Sequence, residues 1–263
     1  MAMLWICLLL SVCERSPLSV CNCTVEAVTS TPSYDANGRT LLVAGTFFGP
    51  SQFGVSAASG AQVQAKARGD AAFASYYTSD GDLEIGALKT YDAPTPVRVA
   101  DVEATPTQDY VLISAGSTGS RDLVLWNLLG ASAGTQTFEV SKDVTSADLH
   151  TDGQLNLWMT GTFSGTATFA SGVSAVSHGG SDVLLAKFTP ETGVPVFATA
   201  IGGTGNDRAG NFANAYTPDT LRLVGAFRGT VDFDPGTGVQ ARTAETGDDA
   251  FLLTFFAYNG TGY

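Results

Sequence analysis

The feature that most constrains the fold of this chain is a short segment that recurs four times. In each copy an aspartate begins a run of mostly apolar residues with the length and composition of one β-strand. The four copies are residues 70–76, 122–128, 182–188 and 249–255, so that successive aspartates are 52, 60 and 67 residues apart. Segments that return in order at similar spacing predict a chain made of repeated structural units.

A second repeated segment lies upstream of the first and is an apolar strand that ends in Gly-x-Phe-x-Gly. It occupies residues 45–49, 161–165 and 225–229, and a further phenylalanine follows each copy four residues later, at Phe53, Phe169 and Phe233. The second unit departs from this pattern, because Asp122 comes only six residues after the similar strand that ends at Gly116. That unit is shorter by about fifteen residues, and we expect its sheet to be smaller or to lack one arm of a hairpin.

Strand composition predicts an all-β fold. Each unit contains short runs rich in Val, Leu, Phe and Thr, separated by Gly, Asp, Asn and Ser, and no sustained helical periodicity follows the N-terminal segment. A twisted four-stranded sheet cannot cover both of its own faces, so such units stack against one another. For residues 24–263 we therefore predict a β-propeller-like array of about four blades, with units at roughly 24–90, 91–140, 141–201 and 202–263.

The repeat pattern is most complete in the third unit. It contains, in order, Gly-x-Phe-x-Gly at 161–165, Phe169, Gly-Gly-Ser-Asp at 179–182, Leu-Ala-Lys-Phe at 185–188 and a glycine-rich turn at 202–206. This pattern resembles the bacterial β-propeller repeat family called SBBP, and the resemblance is weaker in the first unit and eroded in the second. It implies an exported propeller, commonly of about seven blades, whose molecular activity is mostly unknown, and it implies no catalytic residues.

The number of units is smaller than this resemblance implies. The fourth unit has no strand after residues 249–255 to match the one at residues 195–201 in the third. We therefore favour an incomplete or open array, such as a fragment, over a four-bladed ring completed by a strand from the N-terminus. Unpaired terminal edges favour edge-to-edge self-association with another chain.

Residues 1–23 form a distinct N-terminal segment. All four cysteines lie there, at Cys7, Cys13, Cys21 and Cys23, so the repeats depend on packing rather than on disulfides. The uncharged apolar run at residues 3–13 would be about 16 Å long as a helix, too short to cross a membrane core of ~30 Å. It is typical of a signal peptide and predicts a secreted or cell-surface protein with no stable membrane span. A lipid anchor and a structural N-terminus remain as alternatives.

Charge and motifs argue against several kinds of function. With 25 acidic and 13 basic residues the chain has a formal net charge of −12, which disfavours nucleic acid as a partner. We expect His150 and His178 in surface turns, and no Gly-x-Ser-x-Gly elbow accompanies them. The glycine-rich residues 201–210 lack dinucleotide-loop spacing and are expected to form an inter-strand turn. We therefore assign no catalytic, cofactor-binding or metal-binding residue, and no cofactor.

The aspartates have a structural explanation instead. A carboxylate at the head of a strand accepts hydrogen bonds from backbone N–H groups of the preceding turn. We expect this role at the four strand-heading positions, Asp70, Asp122, Asp182 and Asp249. We also expect hairpin turns, rather than calcium loops, at the two acidic pairs Asp80, Asp82 and Asp232, Asp234.

These features favour a noncatalytic, exported binding or surface-display module whose ligand is an unknown glycan or protein. Loops on a rigid scaffold are frequent sites of recognition, and a propeller offers many of them. Two alternatives remain open. One is a carbohydrate-active enzyme that uses two carboxylates on a propeller scaffold, although the sequence nominates no such pair. The other is a structural spacer that is a fragment of a longer surface protein.

Overall fold

The computed structural model describes residues 23–29, 39–48, 50–53, 61–64, 71–78, 88–92, 95–105, 108–117, 120–128, 134–140, 144–169, 172–189, 192–213 and 220–256. These residues form nineteen β-strands and no helix, which confirms the predicted all-β class. Consistent with this, the described part of the chain holds no helix long and apolar enough to cross a membrane. The signal-peptide-like segment lies outside the described residues, apart from Cys23.

The strands are β1 (Cys23–Thr29), β2 (Arg39–Phe47), β3 (Pro50–Phe53), β4 (Ala61–Gln64), β5 (Ala71–Thr78), β6 (Lys89–Asp92), β7 (Val97–Ala104), β8 (Asp109–Ser117), β9 (Ser120–Asn127), β10 (Gly134–Val140), β11 (Thr145–Thr151), β12 (Leu157–Phe163), β13 (Thr166–Thr168), β14 (Ser174–Val176), β15 (Asp182–Phe188), β16 (Pro195–Ile201), β17 (Arg208–Ala213), β18 (Thr220–Asp232) and β19 (Ala241–Phe256).

The chain divides into two compact units, Met1–Ala115 and Gly116–Tyr263. In the first unit, β1, β2, β5 and β6 are successive neighbours in a four-stranded antiparallel sheet, which we call the first sheet. The hairpin β3–β4 pairs with itself, and β7 pairs with β8. The chain therefore builds this sheet strand by strand in sequence order, with one hairpin inserted between its two central strands.

The second unit repeats this arrangement. In it β11, β12, β15 and β16 form a four-stranded sheet, the third sheet, and β17, β18 and β19 form a three-stranded one, the fourth sheet. The inserted hairpin β13–β14 does not pair with the third sheet. It pairs instead with β10, which is itself paired with β9. The inserted hairpin therefore attaches one repeat to the strands of the repeat before it.

The two repeated sequence segments are neighbouring strands of one sheet. The phenylalanine of the Gly-x-Phe-x-Gly segment lies opposite the strand-heading aspartate in two repeats, as Phe163 opposite Asp182 and Phe227 opposite Asp249. In the first sheet Phe47 lies opposite Ala71, the residue that follows Asp70, which is outside the described residues. All three phenylalanines are buried. The sequence repeat is therefore a repeat of strand register.

The shortened second sequence repeat (residues 91–140) lacks the whole inserted hairpin, where the sequence predicted a smaller sheet or the loss of one hairpin arm. The hairpin β3–β4 separates β2 from β5, and the hairpin β13–β14 separates β12 from β15, whereas only residues 118 and 119 separate β8 from β9. In the fourth sheet the hairpin is continuous with the central strands, because β18 and β19 extend to 13 and 16 residues. The residues that the second sequence repeat lacks are therefore those of one hairpin.

Aromatic and branched side chains between the third and fourth sheets form a hydrophobic core. Trp158 of β12 is fully buried and contacts Phe255 of β19 edge to face, with ring centroids 5.5 Å apart. Every residue of β12 is buried, so both faces of the third sheet are covered. Burial of one such large side chain stabilises the fold by about 1.5–3 kcal/mol. Sheet-on-sheet packing therefore holds this unit together.

The fourth sheet ends differently from the others. In β18 the residues Leu221, Leu223, Phe227 and Val231 on one face are buried, whereas most of those on the other face are half-buried or exposed, so the two faces of the sheet are covered unequally. Among the described residues β19 pairs only with β18, whereas β15 pairs with both β12 and β16. Residues 257–263 lie outside the described residues, so the incomplete last sheet stays a prediction, as does the association of its edge with another chain.

Candidate functional site

The polar groups that the sequence singles out converge on two turns of the second unit, residues 178–182 and 202–207, which we call the paired turns. The first turn leads into β15, and the second connects β16 to β17. Because a strand follows residues 202–207, the glycine-rich segment is an inter-strand turn, as predicted, and not the opening of a helix that binds a dinucleotide.

Two of the repeated aspartates bind a backbone N–H four residues before them. The carboxylate of Asp182 accepts a hydrogen bond from the N–H of His178, and that of Asp249 accepts one from the N–H of Glu245 at 3.0 Å. Asp182 begins β15 and binds the turn before it, which confirms the predicted role, whereas Asp249 and Glu245 both lie within β19, so that bond forms inside a strand. Asp70 and the turn before Asp122 lie outside the described residues.

The paired turns are held against each other by backbone hydrogen bonds. The N–H of Gly180 donates to the carbonyl of Gly205 at 3.0 Å, and the N–H of Asp207 donates to the carbonyl of Ser181 at 2.6 Å. A Cβ atom at Gly179 would lie 2.6 Å from the Cα of Thr204, closer than two such carbon atoms approach. Glycine is therefore required at this position for the two turns to meet.

Asp207 fastens the second turn to the fourth sheet. Its carboxylate accepts the N–H of Gly203 at 2.8 Å through one oxygen and the N–H of Arg228 at 2.8 Å through the other. The side chain is almost completely buried. A buried carboxylate needs such partners to offset its loss of hydration, and here both oxygens are used by backbone donors. Asp207 is therefore a structural group.

Asp182 is also buried, but one of its oxygens has no hydrogen-bond partner. Its exposed fraction is 0%, and this oxygen, Oδ1, would lie 2.4 Å from a Cβ atom placed on Gly202. Burial raises the pKa of the Asp182 carboxyl above its usual value, while the N–H of His178 lowers it and the charge of Asp207 raises it. The closely packed Gly202 leaves no room for a substrate atom, so this carboxyl supports the turn.

Asp152 organises a third turn, between β11 and β12. It accepts the backbone N–H of Asn156 at 2.9 Å and the indole N–H of Trp158 at 3.0 Å. The ammonium nitrogen of Lys187 lies above the indole ring, 5.1 Å from the ring centroid. Burial lowers the pKa of the Lys187 ammonium group, and the charge of Asp152 partly offsets this shift. The sequence indicates a turn at residues 151–153, but nothing in it signals that Asp152 binds the core tryptophan.

Carboxylates also join the first strands of neighbouring sheets at β-bulges, and sequence reasoning missed these contacts. In the first unit the N–H of Val99 in β7 donates to Glu26 of β1 at 2.6 Å. In the second unit the N–H of Phe212 in β17 donates to Asp148 of β11 at 2.7 Å. All four residues lie at or beside a bulge, where the strand ladder leaves a backbone N–H unpaired.

The structure also describes His178, His150 and Asp232, which the sequence predicted to lie in turns. His178 lies in a turn with 57% of its side chain exposed, as expected. The prediction for His150 is wrong, because this residue lies within β11 and its ring stacks on Phe212 at 5.8 Å. The sequence around His150 has few large apolar residues, and for this reason it had suggested a turn rather than a strand. Asp232 accepts the N–H groups of Asp234 and Gln240 at 3.0 and 2.8 Å and so holds the predicted hairpin turn.

The described residues offer no group of three or more His, Cys, Asp or Glu side chains that is able to hold a metal ion. The acidic pair Asp80 and Asp82 lies outside them. In comparisons with known proteins, no protein-family model matches the chain, and no curated protein matches its sequence significantly.

Proposed function

We propose that this chain is a noncatalytic, exported binding module built from β-propeller repeats of the SBBP type. The repeat part of the proposal is supported by the common register of three sheets, in which the Gly-x-Phe-x-Gly strand and the strand with the repeated aspartate are direct neighbours. It is also supported by the packing of the third sheet on the fourth, face against face, which is how propeller blades bury their surfaces.

The observation that carries the proposal is the hairpin inserted between the two central strands. In the fourth repeat the hairpin is anchored next to its turn by Phe233, whose ring lies 5.1 Å from that of Phe227 and 5.0 Å from that of Phe251. Between this anchor and the rest of the sheet the hairpin exposes polar side chains, among them Arg242 and Glu245. Exposed polar groups on a rigidly anchored hairpin are suited to recognition of a glycan or a protein.

The noncatalytic part of the proposal is supported by the use that the fold makes of its buried carboxylates. Glycoside hydrolysis needs two carboxylates that face a space for the substrate. Asp182 and Asp207 are two carboxylates that interact electrostatically. Both are buried, and both bind backbone N–H groups of the turns. The carbohydrate-active alternative therefore receives no support from them.

Glycan arrays and pull-down from a cell-surface extract test the proposal. We expect the full chain to enrich at least one glycan or surface protein, and we expect the hairpin variant Arg242→Ala to weaken that binding about tenfold or more. The matched control is Arg98→Ala, which removes another exposed arginine, from β7. No enrichment by the wild-type chain in either assay would exclude the binding function. Release of reducing sugar from an array glycan would favour the enzymatic alternative.

Export belongs to the same proposal and rests on the apolar residues 3–13. When the full chain is expressed in a secreting host, we expect it in the medium or on the cell surface. Retention of the chain inside the cell with an intact N-terminus would contradict export.

A further inference from the structure

A strand at the outside of a sheet leaves one edge of its backbone free. Strands β6, β10 and β16 each pair with the strand of an Asp-headed segment and form the outer strand of their own repeat. The N–H and C=O groups along such an edge pair with another strand unless the edge is covered, short or charged. The protection of each of these three edges therefore indicates where the chain associates.

The edges of β10 and β6 are protected. β10 is covered by a strand of the hairpin inserted in the following repeat, since residues 139–140 pair with residues 167–168 of β13. β6 has only four residues, and it begins with the charged Lys89 and ends with the charged Asp92. A covering strand, short length and charged side chains are devices by which proteins keep a strand edge from associating.

The edge of β16 lacks these protections along most of its length. The strand has seven residues, and no charged residue occurs from position 192 to position 206. Among the described residues it pairs only with β15, because the hairpin of the fourth repeat continues β18 and β19 instead of covering β16. Pro195 and a bulge at Val196 interrupt the start of the strand, so the regular edge extends from Phe197 to Ile201. The whole fourth sheet follows β16, so this edge is internal to the array of repeats.

Neighbouring elements hold β16 in place. Phe197 contacts the fully buried Trp158 edge to face, with ring centroids 6.4 Å apart, and it packs against the core that the third and fourth sheets share. Strand β14 lies close to β16 without pairing with it. The strand is therefore preorganised, and the addition of a partner to its edge requires little further ordering of its backbone.

We propose that two copies of the chain associate by antiparallel pairing of their β16 edges, from Phe197 to Ile201, about a twofold axis. The pairing of β10 with β13 demonstrates that an outer strand of this repeat accepts an antiparallel strand at its edge. The β16 segment itself is such a strand, because it is uncharged, contains no proline after its first residue and is rich in residues that favour strands. Two identical antiparallel edges are complementary to each other, and their pairing uses the edge of both copies, so the association closes at the dimer.

The length of the edge sets the expected strength. Five residues at about 3.4 Å each span ~17 Å, so the contact is smaller than the ~800 Å² that a stable interface buries on each partner. Each copy also has a formal net charge of −12, which opposes association until salt screens it. We therefore expect a dissociation constant of about 0.05–1 mM at ~0.3 M salt.

Sedimentation velocity of the full chain from about 5 µM to about 1 mM tests the proposal. The wild-type chain should shift from the mass of one 27.2 kDa chain toward twice that mass as its concentration rises. Amide exchange at residues 198–200 should slow at least about threefold over the same range, because these amides lie within the paired edge. The variant Val196→Lys should weaken the dimer at least about tenfold, since it places a charge beside the edge at a residue that is 51% exposed.

The matched control is Val239→Lys, which adds the same charge at a residue that is 78% exposed and lies in the turn between β18 and β19. It should dimerise like the wild type. Thermal unfolding of both variants should be unchanged, since each substituted side chain is exposed. A wild-type chain that stays monomeric at every concentration overturns the proposal, and so does equal association of the two lysine variants. A dimer with unchanged exchange at residues 198–200, or oligomers that grow without limit, would rule out the twofold pairing of β16.

Discussion

Replacement of Asp207 by asparagine is predicted to destabilise the second unit far more than the same replacement at Asp182. The carboxylate of Asp207 accepts two backbone N–H groups, one on each oxygen. Asparagine retains one acceptor and turns its NH₂ group toward the other donor, so one charge-assisted bond is lost and a buried N–H is left without a partner. The expected loss in the free energy of unfolding is about 2–4 kcal/mol.

Asp182 provides the matched control. It accepts one backbone N–H, from His178, and its other oxygen has no partner. Asparagine preserves the single bond and removes a buried charge, so we expect stability within about 1 kcal/mol of the wild type. Urea unfolding, followed by the fluorescence of the buried Trp158, measures both variants. Equal losses for the two variants, or a larger loss at Asp182, would refute the assignment of their hydrogen bonds.

Three further predictions concern Asp182, Gly179 and Asp152. The raised pKa of Asp182 means that the folded chain binds this proton more tightly than the unfolded chain. The stability of the wild type relative to Asp182→Asn should therefore fall as the pH rises from 3.8 through the folded pKa, and it should be constant below pH 3.8. Urea midpoints between about pH 3 and pH 8 measure this difference. Gly179→Ala should cost about 1–3 kcal/mol in unfolding free energy, since its Cβ meets the backbone of Thr204, and an unchanged urea midpoint would contradict the contact. Asp152→Ala should lower the free energy of unfolding by about 2–4 kcal/mol. It should also shift the fluorescence emission of Trp158, because the indole N–H loses its acceptor. Emission identical to that of the wild type would argue against that bond.

Local sequence signals predicted much of the fold. The recurring Gly-x-Phe-x-Gly and Asp-headed segments identified the central strands, because each signal lies within a few residues of the strand that it marks. The hydrogen bond from the N–H of His178 to Asp182 spans only four residues, so the turn chemistry of aspartate was sufficient to predict it. The shortening of the second sequence repeat followed from the small number of residues between Gly116 and Asp122.

Contacts between distant segments were not predictable in this way. Asp148 and the N–H of Phe212 lie 64 residues apart, and Glu26 and the N–H of Val99 lie 73 residues apart. Each depends on a β-bulge, whose position is set by the pairing of whole strands and has no mark of its own in the sequence. His150 was misassigned for a similar reason, since its strand is defined by its neighbour β12 and not by its own polar residues.

Amide hydrogen exchange at the turns tests most directly whether the repeated aspartates hold backbone N–H groups rather than take part in chemistry. The N–H groups of His178 and Gly203 donate to Asp182 and Asp207, and both bonds are partly buried. They should exchange as slowly as the ladder amides of β15, and the Asp207→Asn variant should exchange faster at Gly203. Exchange of both amides in the wild type at the rate of an exposed, unstructured peptide would contradict the structural role of these aspartates.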